Sequence, residues 1–308
     1  MEDILIVQDS TRIEAASPER HLSYSKVFQE SHQHHSTRKE LYSEIQRMLG
    51  ENTFVAAFFT SFVFDVQLHN GDVDMVEELL QNADLKGRHL VLILNCPGGD
   101  GLAAERLINV CRSYSTNGYT VLVPKLAKSA ATMICLGAKR IIMSQTSELG
   151  PIDPQIFDGS RWYAAHEIID AYEELIRKAV SAKGRIDPFL QQLQRMDATQ
   201  IRWIKSAQEL SENIAIKTLS TGVMKGKTQA AIRAKIKPFL DPTFTKSHGR
   251  PIYHDVATQC GLDVKVEDLK GPLWEKIWEL YIRLNMAVST TASKIIESCG
   301  DHYEAPIS

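Results

Sequence analysis

The sequence predicts an α/β fold in which helices flank a mostly parallel sheet. Short runs saturated with aliphatic residues recur along the chain, and a break and a helix-forming stretch follow each run, in units of roughly 30 residues. Such runs are typical of strands buried on both faces. The clearest are VLILNCPGGDGLAAERL, from Val91, and TVLVPKLAKSAATMICLGAKRIIM, from Thr120. Consecutive units of this kind favour parallel pairing and right-handed crossovers.

Composition narrows the class of protein. The 308 residues are 44% apolar, enough for one large core or two small ones. A net charge of −3 and a pI near 6.4 give no reason to expect nucleic acid or an anionic membrane as partner. Five scattered cysteines, an odd number, favour a reducing compartment over a disulfide framework or a zinc site.

The sequence also predicts a cytoplasmic location. The N-terminus begins with acidic residues and holds only a short apolar run, unlike a signal peptide. The longest apolar stretch, 53–66, is interrupted by polar residues and is shorter than the roughly 20 residues of a membrane span.

Apolar spacing and turn residues predict the first elements in order. Residues 1–36 are polar and read as a flexible arm; their histidines (His32, His34 and His35) could bind a metal, but no acidic or cysteine partner is near. Ser36-Thr37 caps a helix with Leu41, Ile45 and Met48 inward, and Gly50 ends it. The next elements are strand 54–64, turn 69–72, helix 73–80, strand 91–94, helix 102–114, strand 120–123, helix 129–136 and strand 139–143.

The second half is predicted to be mainly helical. Long helices are expected at 163–182 and 197–219, followed by a strand–helix–turn unit at 249–264 and a helix at 273–298. The last helix carries an apolar stripe: Trp274, Ile277, Trp278, Tyr281 and Ile282. Two alternatives remain open, since the stripe can form an assembly surface or pack onto the protein's own core.

The breaks after two strands carry the candidate chemistry. Gly98-Gly99 follows the first strand, where glycine lets the backbone approach a ligand and expose its N–H groups. Ser129 follows the second, and a serine that opens a helix is either a cap or a nucleophile. We expect the glycines and Ser129 to form one site. No dinucleotide fingerprint, P-loop lysine, zinc-protease motif or G-x-S-x-G elbow is present.

Three ordered motifs resemble the ClpP/crotonase superfamily, closest to its SppA-like and serine dehydrogenase proteinase branch. They are a strand ending in Pro-Gly-Gly, a serine with small residues opening a helix, and LGPIDPQ at 149–155. A fourth motif, HGRPIYHDVATQCGLDV at 248–264, resembles the unit that closes these domains. The resemblance covers about 54–266. It implies a ClpP/crotonase-like fold, with a protease domain at 37–268. The flexible N-terminal arm at 1–36 and a C-terminal helix and tail at 269–308 lie outside the resemblance and are predicted from the sequence pattern.

The resemblance also implies site roles. On the family pattern Ser129 is the nucleophile that cleaves peptide bonds. The Gly98 and Gly99 amides and the Ala130 N–H would form an oxyanion hole, because charge developing on a carbonyl oxygen needs preorganised donors. The alternative is that the glycines only make a tight turn and Ser129 only caps a helix.

The general base is harder to place. ClpP uses a histidine after the serine's helix and the next strand, but SELGPIDPQ at 147–155 contains none, and His166, His248 and His254 lie elsewhere. SppA-like members use a lysine, which must be buried to act as a base near neutral pH. Lys205 in WIKSAQEL resembles the lysine of the serine dehydrogenase proteinases, and Lys178 in LIRKAVSAKG is the second candidate.

The resemblance therefore implies a serine peptidase that acts on peptide or protein substrates through an acyl-enzyme. It implies no metal or cofactor, and a homo-oligomer, since folds of this family commonly assemble through their long helices. Charge and composition predict no nucleic-acid partner and no membrane span. Two alternatives are a scaffold that keeps the fold without turnover, and crotonase-type chemistry on coenzyme A thioesters. Other than Asp100, no acidic residue stands just after the glycines or just after the start of the serine's helix, which counts against the second.

Overall fold

Residues 34–83, 85–157, 159–241 and 249–307 are described by the structure, a computed structural model. The predicted arm therefore lies almost entirely outside the described residues, as does His248. Within the described part of the chain, no helix combines the length and the apolar character that crossing a bilayer requires.

Strands and helices alternate through most of the chain, as predicted. The strands are β1 Thr53–Thr60, β2 His89–Asn95, β3 Thr120–Val123, β4 Leu126–Ala127, β5 Arg140–Met143, β6 Glu148–Leu149, β7 Gln155–Phe157, β8 Trp162–Ala164, β9 Val264–Val266, β10 Ala292–Ser298 and β11 His302–Pro306. The helices are α1 Lys39–Leu49, α2 Asn70–Asn82, α3 Gly101–Tyr114, α4 Ala130–Gly137, α5 Ala165–Ser181, α6 Asp187–Leu193, α7 Ala198–Thr221, α8 Gln229–Lys235, α9 Lys237–Leu240, α10 His254–Gln259 and α11 Pro272–Thr290.

The main sheet has seven strands in the order β11-β10-β1-β2-β3-β5-β9. The run from β1 to β9 is parallel throughout, whereas β10 pairs antiparallel with β1, and β11 pairs antiparallel with β10. The predicted α/β class with a mostly parallel sheet is confirmed.

Helices cover both faces of the sheet, which explains why its strands read as continuous apolar runs. Along β2, Leu90, Leu92 and Leu94 pack into the core that α2, α3 and α4 complete. The alternate residues Val91 and Ile93 pack on the other face, against α1 and α11. Because side chains alternate across a strand, burial on both faces requires every position to be apolar.

The C-terminal segment differs from the prediction. The expected helix 273–298 ends at Thr290, and Ala292–Ser298 forms strand β10, which is buried throughout. Only Ala292, Ile295 and Ile296 of this strand are apolar, so its sequence shows no periodicity that separates strand from helix, which is why the prediction was wrong here. The boundaries at 36 and 268 stay predictions, although β10 and β11 join the same sheet as β1.

The apolar stripe of α11 packs onto the protein's own core. Trp274, Ile277, Tyr281 and Ile282 are all buried, and Trp278 packs partly buried against the same cluster. Of the two alternatives that the sequence left open, the structure therefore favours packing onto the core.

Strand β1 ends earlier, and helix α1 begins later, than the sequence predicted. The predicted strand 54–64 stops at Thr60, because the Ser61 hydroxyl accepts hydrogen bonds from the Val63 and Phe64 amides and turns the chain. In α1, the helix begins after Arg38 rather than at a Ser36-Thr37 cap. Met48, which was predicted to face inward, is 48% exposed.

Strand β10 carries a buried carboxylate near its end. Glu297 accepts hydrogen bonds from the Arg38 guanidinium (2.7 Å), the Tyr42 hydroxyl (2.9 Å) and His302 Nδ1 (2.8 Å). Burial alone would raise the pKa of Glu297, but these donors outweigh it and hold that pKa below its ordinary value. The same contact raises the pKa of His302 above its ordinary value of 6.5.

The raised pKa of His302 makes stability depend on pH. Its stabilising charge is fully present below pH 6.5 and is lost as the pH rises through the raised pKa. We therefore expect the free energy of unfolding to fall as the pH is raised above 6.5, and His302→Gln to flatten that slope. Urea unfolding at several pH values measures it. His254→Gln, on the helix that precedes the opposite edge strand, should keep the wild-type slope. An unchanged slope in His302→Gln would contradict this assignment.

Candidate active site

Ser129 lies in a strained turn between β4 and α4. Its φ of 50° and ψ of −120° are rare for any residue other than glycine. It occupies the cap position of α4, but its side chain makes no capping hydrogen bond. Strain of this kind persists only where the surroundings impose it, and it is typical of serines held out at a strand-to-helix turn for attack.

Strand β2 leads into the glycine turn and β4 leads into Ser129, and pairing between the ends of these strands holds the two turns side by side. Cys96, just after β2, donates its N–H to Leu126 O (3.0 Å) and accepts from Lys128 N (3.0 Å). Cys96 and Ala127 therefore pair as a parallel bridge, and the chain beyond each arrives at the same edge of the sheet.

Gly98 and Gly99 both adopt positive φ angles, 118° and 143°. A Cβ on Gly98 would lie 2.8 Å from Ser129 Cβ and 3.2 Å from Ala130 N, so the two turns touch with no room for a side chain. The structure thus brings together the four predicted residues Gly98, Gly99, Ser129 and Ala130. Glycine is required here because of both the backbone conformation and the contact.

Two backbone donors remain available at this contact. Among the residues that the structure describes, the Gly99 and Ala130 N–H groups donate to no acceptor. The Gly98 N–H donates to Cys96 Sγ at 3.4 Å, and sulfur is a weak acceptor. Burial raises the pKa of this thiol to about 11, so Cys96 stays a neutral neighbour.

The segment 61–68, of which only residues 61–64 were predicted as strand, docks against the glycine turn. Leu68 N donates to Gly98 O (2.8 Å), and Asp100 N donates to Leu68 O (2.9 Å). Residues 61–67 therefore run along the site, a role that sequence reasoning missed. The available signal was the polar Ser61 that interrupts the apolar run.

A cavity of about 450 Å³ opens beside Ser129. Its walls come from residues 61–67, the glycine turn, the start of α3, the β7–β8 hairpin and the middle of α7. Exposed apolar side chains stand in this lining: Phe62, Leu102, Trp162 and Leu210. Polar side chains accompany them: Asp65, Gln67, Asp100 and Gln155. A concave cleft lined by both apolar side chains and convergent polar groups is typical of a small-molecule or peptide site.

The structure does not bring either candidate lysine to this cavity. Lys205 Nζ lies 2.7 Å from Glu173 Oε1 on α5, with a side chain 40% exposed. Lys178 Nζ lies 2.6 Å from Glu174 Oε1 and is 54% exposed. Neither residue is in the cavity lining. The predicted buried setting is absent, and the role of either lysine stays a prediction.

The remaining cations and histidines near the serine are engaged elsewhere. Lys128 Nζ donates to Glu148 Oε2 (2.8 Å) and to Leu149 O (3.1 Å). His166 Nδ1 lies 3.6 Å from Asp153 Oδ2, and neither residue lines the cavity. Over the described ranges, no cluster of three or more His, Cys, Asp or Glu is placed to hold a metal. That the mechanism uses no metal stays a prediction.

Comparison with known families agrees with the motifs. Residues 70–187 match the model of a family described as ClpP-like SDH-type serine proteinases, which confirms the predicted resemblance. The matched segment contains the glycine turn, Ser129 and Lys178, whereas Lys205 and strand β10 fall outside it.

The chain aligns with only about a third or less of the length of each relative that was found. Two uncharacterized proteins of Methanocaldococcus jannaschii are 36% identical over 100 residues and 37% identical over 81 residues. These alignments cover 32% and 26% of this chain, and 33% and 26% of the relatives.

Solved structures of the 1510-N membrane-bound stomatin-specific protease were also found. A serine-to-alanine mutant is 18% identical, with a TM-score of 0.29 over 37% of this chain and 59% of that one. A lysine-to-alanine mutant in complex with a substrate peptide is 16% identical, with a TM-score of 0.28 over 70% of this chain and 93% of that one.

The close docking of Leu68 on the glycine turn predicts a large cost for Gly99→Ala. A Cβ there would lie 2.4 Å from Leu68 N, so we expect a loss of about 2–3 kcal/mol in the free energy of unfolding. Gly87→Ala is the matched control, because its φ of 78° is also positive but nothing lies within 4 Å of its Cβ position; we expect about 1 kcal/mol. Urea unfolding measures both. Equal losses would contradict the docking.

Proposed function

We propose that this protein is a serine peptidase in which Ser129 attacks a peptide carbonyl and forms an acyl-enzyme. The observation that carries the proposal is the strained, uncapped Ser129 turn packed against Gly98, with the Gly99 and Ala130 N–H groups unused beside it. The family match over residues 70–187 supports a serine peptidase in general.

The proposed chemistry uses this geometry in two steps. Ser129 Oγ attacks the carbonyl carbon while its proton passes to a base, and the N–H groups of Gly99 and Ala130 stabilise the oxyanion. The Gly98 N–H joins them by exchanging a weak sulfur acceptor for a charged oxygen. The intermediate collapses as the amine leaves with a proton, and water then hydrolyses the ester and restores the hydroxyl.

Lysine is the proposed base, with Lys205 ahead of Lys178. Lys205 lies on α7, the helix that contributes Ala207, Leu210 and Ser211 to the cavity. At about 100° per residue Lys205 lies on the opposite side of α7 from these three residues. It therefore acts only after the ion pair with Glu173 opens and α7 turns to carry Nζ toward Ser129. The start of α5 and Ile204 on α7 belong to a small apolar cluster separate from the two main cores, and a region held by few buried apolar residues opens at low cost in free energy.

The cavity favours an extended peptide with apolar side chains as substrate. Phe62, Leu102, Trp162 and Leu210 offer apolar surface around the serine, and burying it against the substrate contributes to binding.

A homo-oligomer and a cytoplasmic location are retained as proposals. The α11 stripe is buried and unsuited to assembly. The segment from α5 to α7, residues 165–221, exposes apolar side chains instead: Ile176, Val180, Ile186, Leu190 and Trp203.

A scaffold without turnover is the second candidate. The observation that favours it is that no lysine or histidine is found among the described residues that line the cavity. Ser129 would then keep its strained turn but lack the group that removes its proton.

Covalent labelling tests the nucleophile. Wild-type protein should react with a fluorophosphonate and gain one adduct mass on Ser129, and Ser129→Ala should lose labelling and peptide hydrolysis by roughly 10³-fold or more. Ser113→Ala, an exposed serine in the last turn of α3, is the control and should label like wild type. Undiminished labelling of Ser129→Ala would remove the assignment, and an unreactive wild-type protein would favour the scaffold.

Paired lysine variants test the base. General-base catalysis contributes about 10²–10⁴-fold, so Lys205→Met should lower kcat by that order while Lys178→Met stays near wild type. Peptide hydrolysis is measured across pH with each variant. The reverse pattern would assign the base to Lys178, and full activity of both variants would exclude both lysines as the base.

A further inference from the structure

Strand β10 supplies a buried lysine close to the site. Lys294 Nζ donates to both carboxylate oxygens of Asp72 (2.9 and 2.7 Å) and to Gln67 O (2.6 Å). The side chains of Lys294 and Asp72 are only 6% and 3% exposed. An ammonium group has three N–H donors, and these three acceptors satisfy them, so the charge is both paired and fully hydrogen-bonded.

These contacts grip the backbone on both sides of Leu68. The Gln67 carbonyl, just before it, accepts from Lys294. The His69 N–H, just after it, donates to Asp72 Oδ2 at 2.8 Å. Leu68 in turn accepts from Asp100 and donates to Gly98, so its position sets that of the glycine turn.

A further bond ties the same segment to the same strand. Ser61 N donates to Ser293 O at 2.9 Å, so β10 holds the segment 61–68 at its start and near its end. The two main-chain hydrogen bonds of Leu68 tie the segment only to the glycine turn. The Lys294 contacts fix it relative to α2, whose first turn contains Asp72.

We propose that the Lys294–Asp72 ion pair positions the Gly98–Gly99 turn for oxyanion stabilisation by clamping Leu68 against it. This rests on the proposed role of Ser129. Lys294 is a positioning residue, because its N–H groups are all engaged and it does not line the cavity. The clamp brings in a strand that lies 222 residues from Asp72 and outside the family-matched segment.

The same strand offers a matched control. Lys294 and Glu297 lie an odd number of positions apart, so they face opposite sides of the sheet. Glu297 forms a buried ion pair with Arg38 at 2.7 Å on the α1 side, away from the glycine turn. Breaking either pair destabilises the protein, but only the Lys294 pair holds Leu68.

The test uses full-length Lys294→Met and Asp72→Asn, with Arg38→Met as the control, at a temperature where all are folded. Amide hydrogen exchange at Leu68 and Asp100 is followed by NMR, and Ser129 labelling by a fluorophosphonate is timed. In the first two variants we expect exchange at both amides to accelerate by about 10-fold or more and labelling to slow by about 10-fold or more. Arg38→Met should leave both rates within about two-fold of wild type.

The readouts separate the clamp from the proposed function. Wild-type exchange rates at Leu68 and Asp100 in Lys294→Met would overturn the clamp, and so would equal acceleration in Arg38→Met. Faster exchange with wild-type labelling would overturn the positioning role. If wild-type protein is not labelled at all, the proposed function fails, and the exchange rates still decide whether the ion pair clamps Leu68.

Discussion

The contact between the Gly98–Gly99 turn and the Ser129 turn is the constraint on which the site depends. A Cβ at Gly98 would overlap Ser129, and one at Gly99 would overlap Leu68, so three backbone segments meet where no side chain fits. Ser129 adopts a positive φ at this contact, Gly99 lines the cavity, and the Gly99 and Ala130 N–H groups donate to no acceptor among the described residues. Parallel strands make it possible, because the chain leaves β2 and β4 at the same edge of the fold.

The support for this contact comes from the far end of the chain. Strand β10 holds the segment 61–68 on one face through Lys294 and anchors α1 on the other through Glu297. Buried charges are costly to desolvate, and both are satisfied here by several hydrogen bonds each. The C-terminal strands are therefore part of the framework of the site, although the end of a helix and a tail were predicted there.

The sequence predicts the parts of this site that depend on local chemistry. Saturated apolar runs ending in Pro-Gly-Gly and in a serine with small neighbours give the two turns, and parallel pairing places them together. The part it misses depends on long-range partners. Nothing near Lys205 in the sequence shows that Glu173, on another helix, pairs with it, and nothing near Lys294 points to Asp72. The buried run in β10 has no periodicity that separates strand from helix.

We propose that Ser129 attacks a carbonyl whose oxygen enters the space beside Gly99 and Ala130. A crystal structure of the protein after reaction with a fluorophosphonate tests this most directly, because the phosphonyl oxygen stands in for the oxyanion. We expect a covalent bond to Ser129 Oγ and the phosphonyl oxygen about 2.7–3.1 Å from the Gly99 and Ala130 nitrogens. An adduct on another residue, or an oxygen that points into solvent away from both N–H groups, would contradict it.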